Sequence, residues 1–139
     1  MRSFPLITAP VATASRDEMV DITPLVARHV ARCGVNRGMV AIFVPHTTAG
    51  ITINENADPS VRHDILCKLR ALVPRDERFY EHVEGNSDAH LKASMMGFAL
   101  TVLIEGGELV LGRWQAIYLC EFDGPRQRQV MLRVIAFDE

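Results

Sequence analysis

Apolar and polar residues alternate with two periods along this chain, and the changes of period mark its elements. Residues 4 to 8 predict a first strand, and residues 17 to 22 a short strand or turn. Leu25, Val26, Val30 and Cys33 then recur at helical spacing. Thr23 is the expected N-cap of that helix, and Pro24 occupies its first position, where a missing N–H costs nothing. Gly34 suits the left-handed residue that closes a helix. Met39 to Val44 is apolar throughout and predicts a strand buried on both faces. Ile51 and Ile53 alternate with Thr52 and Asn54, the mark of a half-buried strand. Asp58-Pro59 repeats the cap-and-proline signal and opens a helix with Val61, Ile65, Leu69 and Leu72 on one face. Pro74 stops it.

Residues 75 to 87 read as a polar loop, after which Ser87 or Asp88 caps a third helix that Gly97 ends. Phe98 to Glu105 and Glu108 to Leu111 form a predicted hairpin through Gly106-Gly107, a pair suited to the positive φ of a tight turn. Trp114 to Phe122 is expected to continue the second arm past a kink at Gly112. Asp123-Gly124-Pro125 is a turn before a final strand, Gln129 to Phe137. Helices come first and antiparallel strands last, which predicts an α+β fold. With no linker, repeat or low-complexity stretch, residues 1–139 are expected to form a single compact domain.

Composition narrows the function classes. The chain has 139 residues, enough for its own core, and is 48% hydrophobic and 23% charged. A net charge of −2 argues against a nucleic-acid partner. No apolar run approaches the roughly 20 residues that cross a bilayer, and no signal peptide opens the chain, so neither a membrane partner nor export is expected. Cys33, Cys67 and Cys120 are odd in number and scattered, which fits a reduced, cytoplasmic setting. Each lies in an apolar segment and reads as a buried small hydrophobe.

Three polar islands carry the candidate chemistry, each with a histidine: His46, His82 and His90. Neutral imidazole is the commonest ligand for transition metals and the usual acid or base near pH 7. Together the three could hold a zinc-type ion with an open position, or bind phosphate; separately, each could simply hydrogen-bond loop backbone. His90 falls in the first turn of the third helix, where the helix dipole favours neutral imidazole. His29 and His63 read as boundary or solvated residues. Asn54-Glu55-Asn56-Ala57-Asp58 packs two carboxylates and two amides into one turn. Glu55 and Asp58 are candidate magnesium contacts, Asp58 doubling as an N-cap, while Asn54 either orients a substrate or closes the turn. Thr47 and Thr48 offer hydroxyls for a phosphate beside His46, and Gly50 would let a ligand approach the backbone. Gln115 and Glu121 share one strand face but stand roughly 20 Å apart in a regular strand, too far for one small site in one subunit. Glu121 is expected to pair with Arg126 across the turn. No Walker, dinucleotide or GxSxG pattern is present.

Long segments of the chain resemble the YjbQ-like family. They are His46-Thr47-Thr48-Ala49-Gly50-Ile51-Thr52-Ile53-Asn54-Glu55-Asn56-Ala57-Asp58-Pro59-Ser60-Val61, Ala89-His90-Leu91-Lys92-Ala93-Ser94, Leu111-Gly112-Arg113-Trp114-Gln115-Ala116-Ile117-Tyr118-Leu119-Cys120-Glu121 and Asp123-Gly124-Pro125-Arg126. The resemblance implies an α+β subunit that assembles as a homotrimer, with sites near subunit boundaries. It also implies, for some members, synthesis of thiamine phosphate from an aminopyrimidine diphosphate and a thiazole phosphate, a reaction needing a divalent cation. In that reading His46, Glu55, His82 and His90 are the catalytic candidates. Thr47, Thr48, Asn54, Gln115, Glu121 and Arg126 are the candidate contacts to a small phosphorylated or anionic molecule. A zinc-dependent hydrolase using the same histidines, and a trimeric anion-binding module, are the competing readings. The loop before the third helix is shorter than the family's usual one.

Overall fold

A computed structural model describes residues 1–137. Its strands are β1 (Arg2–Ser3), β2 (Ile7–Ala12), β3 (Glu18–Asp21), β4 (Arg37–Phe43), β5 (Ala49–Glu55), β6 (Ala99–Glu105), β7 (Glu108–Leu109), β8 (Gln115–Glu121) and β9 (Gln127–Ala136). Its helices are α1 (Thr23–Cys33), α2 (Pro59–Leu72) and α3 (Ser87–Met96). All strand pairs are antiparallel. One sheet runs β1-β9-β4-β6-β7, with β2 also on β9; the other runs β3-β8-β5. The architecture is α+β, as the order of elements predicted.

Strand β8 is the pivot of the packing, because both of its faces are covered. Ile117 and Leu119 point into a core shared with Val40, Ile42, Val130, Leu132 and Val134 of the larger sheet and with Val26 and Val30 of α1. Ala116, Tyr118 and Cys120 point the other way, into a second core with Leu69 of α2 and Ala89 and Ala93 of α3. The order of layers is therefore larger sheet, smaller sheet, then α2 and α3. Each fully buried aliphatic side chain in such a stack contributes about 1.5–3 kcal/mol relative to exposure.

Several expectations are corrected by this packing. The opening segment forms two short strands at 2–3 and 7–12, with the first predicted strand straddling the break between them. Strand β4 alternates between buried and more exposed positions, because only one face meets the core; Phe43 is 47% exposed. Strand β8 does not continue the hairpin arm. Beyond Leu109 the chain crosses to the other sheet, where β8 pairs with β3 and β5. Thr23 is not the cap of α1: its Oγ accepts from the Ile117 N–H at 2.8 Å, tying the helix to β8. Ser87 and Asp88 lie inside α3, whose N-cap position is Asn86. Leu72 is 58% exposed, at the end of α2 where the buried face has rotated away. Of the cysteines only Cys120 is buried; Cys33 and Cys67 are half-buried.

Other signals are realised as read. Gly34 closes α1 in the left-handed conformation. Asp58 caps α2 by accepting from the Ser60 N–H at 2.9 Å. Gly106 and Gly107 both take positive φ in the hairpin turn.

Candidate functional site

The candidate residues separate along β8. Strand β8 pairs with β5 residue for residue, from Ala49 opposite Glu121 to Glu55 opposite Gln115. With no bulge between them, the two ends stand roughly 20 Å apart. His46, Thr47, Thr48, Glu121 and Arg126 gather at one end; Asn54, Glu55, Asp58 and Gln115 gather at the other.

At the first end the chemistry is built on a buried ion pair. Glu121 is fully buried, and its carboxylate takes the guanidinium of Arg128: Nε donates to Oε1 at 2.8 Å and Nη2 to Oε2. Thr13 Oγ donates to Oε1 at 2.8 Å, and the Asp123 N–H to Oε2 at 2.9 Å. Burial alone would raise the Glu121 pKa, but these hydrogen bonds outweigh it and hold the carboxyl below its ordinary range. Arg128 also donates to the Thr48 hydroxyl at 2.8 Å, so that side chain is engaged within the fold. The expected Glu121–Arg126 pair does not form. Arg126 instead turns back on Asp123, with Nε to its carbonyl at 2.9 Å and Nη2 to its carboxylate at 3.2 Å. His46 sits over this group, its Nε2 accepting the Gln129 N–H at 2.9 Å. Burial, and then repulsion from Arg128, hold its imidazole below the ordinary histidine value.

At the other end the polar residues serve the turn. Asn54 Oδ1 accepts the Glu55 N–H at 2.8 Å. Gln115 Oε1 accepts the Gly112 N–H at 2.7 Å. Asp58, fully exposed, has its pKa lowered by the hydrogen bonds of Ser60. Half-buried Glu55 offers its carbonyl to the Tyr118 hydroxyl at 2.9 Å.

His82 and His90 do meet. Their rings pack edge to face with centroids 5.4 Å apart. They line an open depression of about 610 Å³ with Phe79, Tyr80, Glu81, Ser87 and Leu91. His90 rides on the first turn of α3 while His82 reaches back from the loop, where its Nε2 stands 3.9 Å from Glu84. Behind the pair, Asn86 ties this loop to the 123–126 turn by donating to Asp123 Oδ2 at 2.8 Å. Its own Oδ1 is buried without a hydrogen-bond partner.

His46 lines a different hollow, with Phe43, Val44, Pro45, Thr47 and Phe98. Among the described residues no three His, Cys, Asp or Glu side chains are grouped to hold a metal ion. The zinc set of His46, His82 and His90 is therefore not assembled within one protomer. Nor can Gly50 admit a ligand. A methyl carbon added there would stand 2.8 Å from the Gly97 carbonyl oxygen and 3.0 Å from Met96 Cβ, so the space is already taken.

Comparison with known proteins places the chain. The family profile described as "UPF0047 protein YjbQ-like" matches residues 7–137. The chain belongs to this family. The UPF0047 relative from Methanocaldococcus jannaschii is 50% identical over 125 residues, 90% of each chain. YugU of Bacillus subtilis, also a UPF0047 protein, is 46% identical over 94% of this chain and 98% of its own. A crystal structure of an uncharacterised YjbQ/UPF0047 protein from Clostridium acetobutylicum superposes with a TM-score of 0.90 at 53% identity, covering 93% of this chain and 99% of that one. A YbjQ-like protein of unknown function from Sulfolobus solfataricus gives 0.89 at 34% identity, covering 97% and 98%.

Sequence reading missed two buried charged groups, one around Arg128 and one on α3. Arg128 was legible in principle: it falls in phase with Val130, Leu132 and Val134 on the inward face of β9. Asp88 and Lys92 stand one helical turn apart, and Lys92 Nζ donates to Asp88 Oδ2 at 3.1 Å inside the fold. Arg16 closes the group with a two-pronged contact to Asp88 at 3.0 and 3.1 Å. Burial alone would raise the Asp88 pKa; Arg16 and Lys92 reverse that and lower it.

Proposed function

We propose that this protein is a transferase of the thiamine-phosphate-synthase type, joining an aminopyrimidine diphosphate to a thiazole phosphate. The observation that carries the reading is the His82–His90 pair over an aromatic-walled depression. Phe79 and Tyr80 offer ring faces and edges to a flat pyrimidine. The two imidazoles, Ser87 and the start of α3 offer donors to phosphate oxygens. In this reading His90 and His82 hold the departing diphosphate through their ring N–H groups. A resident zinc does not fit the ligands of one protomer, so no step is assigned to it. The divalent cation that diphosphate departure requires is assigned to the diphosphate itself.

The proposal includes a homotrimer. The outer face of the larger sheet carries Met39, Phe43, Leu103, Met131 and Ile135 in register, with Phe43 47% and Leu103 55% exposed. An apolar face of this kind is a protein-interaction surface. His46 lies at its rim beside Phe43, so a neighbouring subunit's His82 and His90 are the partners assigned to it. No helix among the described residues is long and apolar enough to cross a membrane. A cytoplasmic setting completes the reading, supported by three free cysteines.

The test is to incubate the full chain with both substrates and Mg²⁺, and to follow thiamine phosphate and pyrophosphate. Product formation that is lost in His82→Ala and His90→Ala, with the trimer intact by light scattering, supports the proposal. Phosphate release from the diphosphate alone would replace it with a hydrolase. Saturable pyrophosphate binding without turnover would replace it with a binding module.

A further inference from the structure

Helix α2 carries a second chemical group, apart from the histidine pair. Cys67 Sγ lies alongside the His63 ring, 3.5 Å from Nε2 and 3.9 Å from Nδ1. Asp64 Oδ1 lies 3.0 Å from His63 Nδ1, and Arg70 Nη1 points at the same sulfur from 3.7 Å. A nucleophile thus has a base beside it, and the base has a third group that orients it. His63 and Asp64 are exposed and Cys67 is half-buried, so the sulfur can be reached.

Arg70 links this group to a binding surface. Its Nε donates to Asp17 Oδ2 at 3.0 Å, and its side chain lines an open depression of about 630 Å³. Arg16, Arg75, Lys92, Asp17 and Asp88 complete the charged lining, so four cationic side chains face two carboxylates. That excess draws anions to the rim beside the sulfur. Asp17 adds a second mark of a ligand: its side chain is only 9% exposed, and its Oδ1, 3.8 Å from Arg16 Nη1, has no hydrogen-bond partner. A molecule bearing both carboxylates and N–H groups satisfies the rim and this acceptor together.

The other thiols lack the combination. Cys33 also has a histidine four residues earlier, with His29 Nε2 at 3.7 Å, but burial pushes its thiol up and no arginine is bonded to it. Burial pushes Cys120 up to about 12.

The geometry points to Cys67 as a covalent modification site for small anionic disulfides of the peptide-thiol class, seated by Arg70 and Arg75. His63 Nε2 takes the thiol proton as Sγ attacks one sulfur of the disulfide. A new S–S bond to Cys67 forms while the small molecule's own S–S bond breaks. The departing thiolate then takes the proton from the imidazolium. No further oxidant is needed, because the incoming disulfide is reduced as Cys67 is oxidised.

The experiment treats the full chain with oxidised glutathione or with cationic cystamine and maps the modified peptides over time. Cys67 is expected to form the mixed disulfide while Cys33 and Cys120 stay free. His63→Gln should slow both reagents about tenfold or more. Arg70→Gln with Arg75→Gln should slow glutathione about tenfold and leave cystamine unslowed. If that double variant unfolds, Arg75→Gln alone and the salt dependence of the glutathione rate carry the same test. Unchanged rates in His63→Gln, no loss of preference for the anionic reagent, or equal labelling of Cys33 would overturn the assignment.

Discussion

Arg128 and Glu121 face each other across the 122–126 turn in a two-pronged ion pair that is almost wholly shielded from water. The pair joins the end of β8 to the start of β9, and therefore one sheet to the other. Removing one partner leaves a buried charge, whereas removing both leaves none. Arg128→Met should cost about 3–5 kcal/mol in urea unfolding, and Arg128→Met with Glu121→Leu should recover much of it. Equal losses in the single and double variants would mean that the pair is not the source.

Acid should attack the same element. Glu121 and Asp88 both have folded pKa values below their ordinary 4.5 and 3.8. A carboxylate depressed by folding contributes stability above its unfolded value and loses it as pH falls through the folded one. The contribution of these two carboxylates to the melting temperature should therefore be constant above about pH 5 and be lost steeply below about pH 4. A variant lacking both Glu121 and Arg128 should show a shallower drop in a pH series of thermal melts.

His46 should titrate late on acidification. Its Nε2 accepts a backbone N–H, so the proton sits on Nδ1, and burial and Arg128 oppose a second one. NMR should find the Nδ1–H tautomer at neutral pH and a midpoint below the usual 6.5. Protonation below that midpoint removes the Gln129 bond and the stability it gives. A midpoint above 6.5, or the other tautomer, would contradict the geometry.

The buried face of α2 is testable by contrast. Leu69 is 8% exposed against Tyr118 and Phe122, whereas Leu72 is 58% exposed. Leu69→Ala should cost about 2–4 kcal/mol through a core cavity, and Leu72→Ala about 0.5 kcal/mol or less, by chemical denaturation.

Much of this fold is legible in the sequence because single residues state it locally. Gly34, Asp58-Pro59 and Gly106-Gly107 each dictate a cap or turn through their own backbone chemistry. What is not local is not legible. Nothing near Gly112 announces that β8 leaves one sheet for the other, since that choice depends on which faces β5 and α3 leave uncovered. The site divides the same way. The meeting of His82 and His90 follows from a short loop returning to its own helix. The Glu121–Arg128 pair depends on the reversal at 122–126 placing β9 beside the end of β8. The nearer cation, Arg126, looked the natural partner until that reversal aimed it at Asp123. Asn54 and Gln115, attractive by type, serve backbone N–H groups that any tight turn leaves open.

Gly50 carries a consequence for how this protein can vary. Its bare backbone lets the Gly97 carbonyl oxygen, bonded to the Ile51 N–H at 3.0 Å, sit directly against β5. Gly97 closes α3, and the opposite tip of that helix presents His90. Side chains around that histidine line an open depression, while a single methyl at position 50 would lift the whole platform. The height of α3 above β5 is thus written in an atom the chain does not have.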